Sequence, residues 1–276
     1  MFSRRIADIQ PPPRCAPFPA FNKMFNGCPL RDSPSFSELM TETALYLIPC
    51  TLGDTAPELV LPAANRDIIL SLRHFIVEDV RSARRFLKAV DRGIDIDTLT
   101  FCDMGKHADR SQFASYLEPL RRNEAVGVIS EAGCPAVADP GADIVAIAHR
   151  EGMRVVPLVG PSSILLAVMA SGFSGQSFAF HGYLPIEPAA RQRRLRQLET
   201  RSREERQTQL FIETPYRNRK LFDDLLRACS PRTRLCVAAG LTTEREWVRS
   251  MSLGEWRKCG LPELSRVPAI FAIYAA

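Results

Sequence analysis

The chain has 276 residues, 46% of them hydrophobic and 24% charged, with a net charge of +5 from 36 basic and 31 acidic side chains. These are the proportions of an ordinary globular protein with room for two modest domains or one large one, and the mild positive balance permits an anionic partner without demanding it. No apolar run reaches the ~18 residues of a membrane span; the cysteines at 15, 28, 50, 102, 134, 229, 236 and 259 form no C-x-x-C pair, which speaks against a zinc site, and Cys50, Cys102 and Cys236 lie inside predicted strands, which suits buried thiols in a reducing cytoplasm better than a disulfide framework.

Residues 1–39 carry Pro11, Pro12, Pro13, Pro17, Pro19, Pro29 and Pro34 without helical or strand period, and predict an unstructured leader. A secretory signal lacks its apolar core; Arg4, Arg5 and Arg14 leave a transit peptide open. Met40, directly before the first strand, is the favoured alternative start. An N-terminal domain over 40–158 then alternates strand-like stretches (44–50, 75–77, 99–102, 125–129, 155–159) with helical ones (62–72, 83–90, 111–122 and the helix after residue 140). Ser111 is a plausible N-cap, and Asp139 is read as an N-cap followed by Pro140 at the first helical position. Such alternation means a mostly parallel, doubly covered sheet.

The stretch from Pro157 to Ser163 reads as a hinge into a second domain, 159–276. Ser162 or Ser163 can cap a helix over 164–170, which Gly172 ends. Strands are expected at 177–181, 209–213, 235–239, 246–250 and 268–274, with helices near 189–206 and 217–228. More strands than helices suggests a mixed sheet with antiparallel pairs, an α+β layer.

The most sharply built joint is 126–141. A short Val- and Ile-rich run stops at Ser130-Glu131-Ala132-Gly133-Cys134-Pro135, where small residues offer free backbone N–H groups at the carboxyl end of a parallel strand, the place where open α/β sheets hold ligands. An ordinary βα connection would look similar. Glu78 and Asp79 end another strand and are candidate proton acceptors, although Asp79 can simply cap the next helix. Glu213-Thr214-Pro215-Tyr216-Arg217 gathers a carboxylate, a hydroxyl, a phenol and a guanidinium at one turn. The segment 191–206 has seven arginines against three glutamates. It suits nucleic-acid phosphates, but Glu199 with Arg203 and Arg201 with Glu205 stand at i,i+4 spacing, as on any salt-bridged helix face. The histidines at 74, 107, 149 and 181 are too dispersed for a metal centre.

The loop from Ser130 to Gly141 resembles the S-D-A-G-T-P-x-I-S-D-P-G loop of the class III, tetrapyrrole-methylase-like S-adenosylmethionine methyltransferases. Leu45-Tyr-Leu-Ile-Pro49 with Leu52-Gly53-Asp54, Glu78-Asp79-Val-Arg81, Val156 to Ser163 and Phe211-Ile-Glu-Thr-Pro-Tyr-Arg217 follow in matching order. Together they are most similar to the branch that methylates a ribose 2′-hydroxyl of small-subunit ribosomal RNA. Departures are Asp54 for the branch's asparagine, Ala239-Gly240-Leu241-Thr242-Thr243 for R-E-L-T-K, and the closing Arg266-Val-Pro-Ala-Ile-Phe.

The resemblance implies a two-domain α/β fold, usually a homodimer, with S-adenosylmethionine in the cleft between a parallel and a mixed sheet. Cofactor contacts would come from Leu52, Gly53, Gly133, Cys134, Val137, Ser162, Ser163, Ile164, Ile212, Thr214, Ala239, Gly240, Leu241 and Pro268. Cys134 would be a contact and not a nucleophile. The opening loop would be a backbone surface for the cofactor, with proton chemistry left to Glu78, Asp79 or Glu213 on neighbouring strands. Arg81, Arg191, Arg193, Arg194 and Arg217 are the arginines placed toward RNA. A tetrapyrrole or other small acceptor, or a non-catalytic RNA-binding relative, are the rival readings.

Overall fold

The structure is a computed structural model that describes residues 43–264 and 266–275. The leader 1–39 and the alternative start Met40 lie outside the described residues. Five strands, Leu45–Ile48 (β1), His74–Val77 (β2), Thr100–Asp103 (β3), Val126–Ile129 (β4) and Val155–Pro157 (β5), form a wholly parallel sheet in the order β3-β2-β4-β1-β5. Ala63–Ser71 (α1), Val80–Val90 (α2), Glu118–Arg121 (α3) and Ala142–Arg150 (α4) connect them. Side chains alternate between faces along each strand. Tyr46, Ile48, Phe75 and Val77 pack with Ile68, Ile69 and Leu87 of α1 and α2. Their neighbours Leu45, Ile76, Val126 and Val128 pack with Leu120, Ile144 and Ala148 of α3 and α4. The sheet is therefore covered on both sides, and all four residues of β4 are buried.

Ser163–Ser171 (α5) leads into the second half and ends at Gly172, whose φ of 69° is the left-handed cap expected there. The strands Phe178–Tyr183 (β6), Thr208–Glu213 (β7), Arg234–Ala239 (β8), Trp247–Ser252 (β9) and Ala269–Tyr274 (β10) form a mixed sheet in the order β6-β7-β10-β8-β9. Only β6 and β7 pair in parallel. Pro188–Glu205 (α6), Asn218–Ala228 (α7) and Leu253–Cys259 (α8) cover one face around Phe211, Val237, Phe271 and Trp256. On the other face α5 packs on Leu210, Cys236, Ala238 and Ile270.

Four local expectations are corrected. Residues 111–122 are not one helix but two 3-10 turns followed by α3, with Asp109 and not Ser111 as the capping side chain. Pro119 has no N–H to give a helix interior, so it sits in the first turn of α3 and the helix can start only there. α4 begins at Ala142 behind Gly141, so Asp139 does not cap it. Glu199 does not pair with Arg203: it is 8% exposed and accepts hydrogen bonds from Ser230 N and Thr233 Oγ1. Finally α8, closed by a Ser252–Glu255 capping box, has no counterpart in the sequence reading.

Candidate active site

The strand ends of the two sheets enclose a cleft of about 830 Å³, a size typical of small-molecule sites. Its wall is built from the turn after β1 (Leu52, Gly53, Asp54), the loop after β4 (Gly133, Cys134, Val137, Asp139) and the start of α5 (Ser162, Ser163, Ile164). The end of β7 (Ile212, Glu213), the turn after β8 (Gly240, Leu241) and the entry to β10 (Pro268, Ile270) complete it. Of the residues predicted to hold a cofactor, Thr214 and Ala239 are not in this wall. The strand period of two explains Ala239: it is fully buried in the core under α6 to α8, while Ala238 faces the cleft. Thr214 is drawn aside by Arg217, whose Nε donates to its Oγ1 at 3.0 Å.

The wall suits a ligand recognised by backbone and apolar surface. A Cβ at Gly53 would come within 2.8 Å of Thr243 Cγ2, and one at Gly240, with φ of 58°, within 2.6 Å of the Arg245 carbonyl oxygen. Only glycine leaves these turns both open and folded. Leu52, Val137, Ile164, Ile212 and Leu241 give apolar faces for an aromatic ring system, and Ser162 and Ser163 add polar groups at the α5 N-terminus. The loop after β4 is wound tightly. Ala136 and Ala138 both have positive φ, 64° and 63°, at a cost of about 1 kcal/mol each, and Ala136 N donates to the Pro140 carbonyl at 3.2 Å. Cys134 lies in the wall with its thiol pushed up by burial and by the charge of Asp139, which disfavours the thiolate.

That winding turns Asp139 into the cleft, a placement the sequence reading missed. Burial first, and Glu78 second, raise its carboxyl to about 6. Glu78 stands behind the loop, its carboxylate accepting from Glu131 N at 3.3 Å and itself lifted by burial. The other two predicted proton acceptors are committed elsewhere. Asp79 caps α2, accepting from Ser82 N at 2.7 Å, which lowers it. Glu213 is 5% exposed and accepts from Thr214 N at 2.7 Å and from Arg217 Nε at 2.9 Å. The opening loop is thus not a backbone surface alone: it brings its own carboxylate. Two Asp-Pro-Gly readings compete at this sequence, cap or cleft, and only the positive φ values upstream decide between them.

The arginines separate as sharply. Arg81 and Arg193 are exposed. Arg194 leans on His181 Nδ1 at 3.3 Å, while His181 Nε2 faces Gln209 Oε1 at 2.6 Å; burial and Arg194 keep this imidazole low. Arg217 is held by Glu213 at 2.7 Å. Arg191 is corrected outright. It is 1% exposed, ion-paired with Asp224 and donating to the Ile186 carbonyl at 2.7 Å, so no part of it can reach a phosphate. The signal was present: Arg191 lies four and seven residues before Leu195 and Leu198, on the apolar stripe of α6.

Among the described residues, no group of three His, Cys, Asp or Glu side chains stands close enough to hold a metal ion, and no helix is long and apolar enough to cross a membrane.

Residues 44–256 match the family model of the tetrapyrrole (corrin/porphyrin) methylases. The ribosomal RNA small subunit methyltransferase I of Vibrio cholerae is 29% identical over 211 residues, 76% of this chain and 69% of that protein. Its namesake from Mesorhizobium japonicum is 32% identical over 217 residues, 77% of this chain and 68% of that protein. The crystal structure of the methyltransferase CobJ, at 17% identity, aligns over 85% of this chain and 95% of its own with a TM-score of 0.56, a likeness of fold. Two sheets meeting at a glycine-lined cleft, and a family match that runs from β1 into α8, lead to one conclusion: the chain belongs to the tetrapyrrole methylase family and is an S-adenosylmethionine-dependent methyltransferase of the ribosomal RNA small subunit methyltransferase I type.

Proposed function

We propose that the chain methylates a ribose 2′-hydroxyl of small-subunit ribosomal RNA, with Asp139 as the proton acceptor. The observation that carries this is the position of Asp139: a half-buried carboxylate in the wall of the cofactor cleft, without an ion-pair partner among the described residues, beside the small residues that would hold the cofactor. Bound S-adenosylmethionine supplies an activated methyl group; Gly53, Gly133, Gly240 and the apolar wall orient it and exclude water. A hydroxyl acceptor gains roughly 10²–10⁴-fold from a base whose pKa lies near the working pH, the range into which burial and Glu78 bring Asp139. Relatives carrying the ribosomal RNA name support the acceptor.

The decisive experiment offers labelled cofactor to small ribosomal subunits lacking methylation and maps the product. Label on a ribose supports the reading; transfer only to a tetrapyrrole, or calorimetric binding of cofactor without any transfer to RNA, overturns it. The same reading places the enzyme in the cytoplasm as a homodimer. Free buried thiols at Cys50, Cys229 and Cys236 suit a reducing compartment. Leu165 and Met169, 52% and 77% exposed one turn apart on α5, form an apolar face suited to a second copy. A monomer in sedimentation equilibrium would remove that part.

A further inference from the structure

The cofactor cleft does not end at its own wall. A second cavity of about 410 Å³ shares Leu52, Gly53, Asp54 and Ala132 with it and runs on between the turn after β1 and the flank of α2. The two are one trough over the carboxyl ends of the parallel strands. Its outer bank is Ser82, Arg85, Phe86 and Ala89.

Among the described α-helices, α2 alone carries basic residues and no acid. Its sequence, Val80–Val90, holds Arg81, Arg84, Arg85 and Lys88 and no acidic residue. Arg81, Arg85 and Lys88 stand at i, i+4 and i+7, a single exposed stripe about 10 Å long. Arg84 lies off this stripe, over the Phe101 ring at 5.4 Å. Arg85 belongs both to the stripe and to the trough wall, held there by a hydrogen bond from Nη2 to Ser82 Oγ at 3.3 Å. The nearby acids make their bonds off the stripe while still feeling its charge: Asp79 on the α2 cap with Arg85 beside it, Asp91 on Arg66 with Lys88 beside it, and Glu131 at 3.3 Å from Ser82 Oγ inside the trough.

We infer that the second cavity is the acceptor-nucleotide subsite, and that the α2 stripe, centred on Arg85, carries the phosphates of the RNA strand that enters it. This rests on the RNA reading above and deepens it. A cationic bank fixes backbone register. The cavity behind it, with apolar Phe86 and Ile129 and the polar Thr51 and Glu131, has the mixed lining that a base and ribose require, while its carboxylates keep phosphates on the outer bank. α6, despite its greater number of arginines, is not part of this trough.

The test uses the full chain and a single-stranded RNA fragment of the small ribosomal subunit, with binding followed by anisotropy across salt concentrations. Arg85→Gln with Lys88→Gln should weaken binding at least tenfold and lessen the steepness of the log–log salt dependence by about 1–2. Cofactor affinity by calorimetry and the melting temperature should stay unchanged. Removing the same charge from α6, as Arg196→Gln with Arg203→Gln, should leave the slope as in the unaltered chain. Full binding by the α2 variant, or an equal loss from the α6 variant, overturns the inference while leaving the RNA reading intact. An unaltered chain that binds no RNA at any salt overturns both.

Discussion

The two halves of the molecule treat charge in opposite ways. In the mixed-sheet half, buried charges are engaged within the fold: Arg191 ion-paired with Asp224, Arg217 with Glu213, and Glu199 hydrogen-bonded by Ser230 N and Thr233 Oγ1. At the strand ends of the parallel half, Asp139 and Glu78 are brought together with no ion-pair partner among the described residues, Lys106 acting on Glu78 without pairing with it, and α2 itself carries cations and no acidic residue. Paired charges hold structure and are unavailable to a substrate. Unpaired ones cost stability, and their persistence beside a ligand cleft marks where chemistry is done.

This contrast predicts effects that fall in size and change in sign from one half to the other. Asp224→Ala removes the counter-charge of the buried Arg191 guanidinium, leaving it only the Pro185 and Ile186 carbonyls, and should cost about 3–5 kcal/mol in urea unfolding. A loss below about 1 kcal/mol would mean that the pair is not the buried clasp described. Glu213→Gln keeps the shape but weakens two charge-assisted bonds, and should cost roughly 1–3 kcal/mol by the same measurement.

Asp139→Asn should go the other way. A carboxyl raised to about 6 from 3.8 binds its proton more tightly in the folded chain than in the unfolded one. Its contribution is therefore fully present below about pH 4 and is lost as pH rises through about 6. Discounted for partial exposure, the loss is about 1 kcal/mol, so the asparagine variant should melt roughly 2–4 °C higher than the native chain at pH 7.5 and show no gain at pH 4. Methyl transfer should fall 10²-fold or more in the same variant with cofactor affinity retained. A stability gain without loss of transfer would separate the unpaired charge from the chemistry. Smallest of all, Arg85→Gln should change unfolding stability by no more than about 0.5 kcal/mol, because it is exposed and its bond to Ser82 is long.

Much of this was legible in particular residues. The Val-Gly-Val-Ile run of β4 announced a strand buried on both faces, and every position of it is buried. Gly172 announced a helix end and has the left-handed φ that only glycine takes freely. Asp79 was readable both as cap and as acid, and the cap is present, with Ser82 N donating to it. Part of what failed to read depended on groups distant in sequence. Arg191 is charged by composition but buried by its place on a helix stripe and by Asp224, 33 residues away. Ala239 and Ala238 differ only in which face of β8 they occupy, and that is set by the register with β10.

Local sequence, through side-chain period, capping residues and glycine at forced turns, determined the alternation of strands and helices, the parallel and mixed character of the two sheets, and the loops that border the cleft. The elements and turns depend on interactions within a few residues, and the sheet directions follow from how the connections alternate, even though the strands pair over long separations, as Leu45 with Val126. Tertiary structure alone decided which charges are silenced and which are left to act. An arginine or an aspartate takes its ionisation, its reach and its partners from whatever packs against it, and in this chain the partner of Arg191 and the neighbour that raises Asp139 both arrive from elsewhere in the fold.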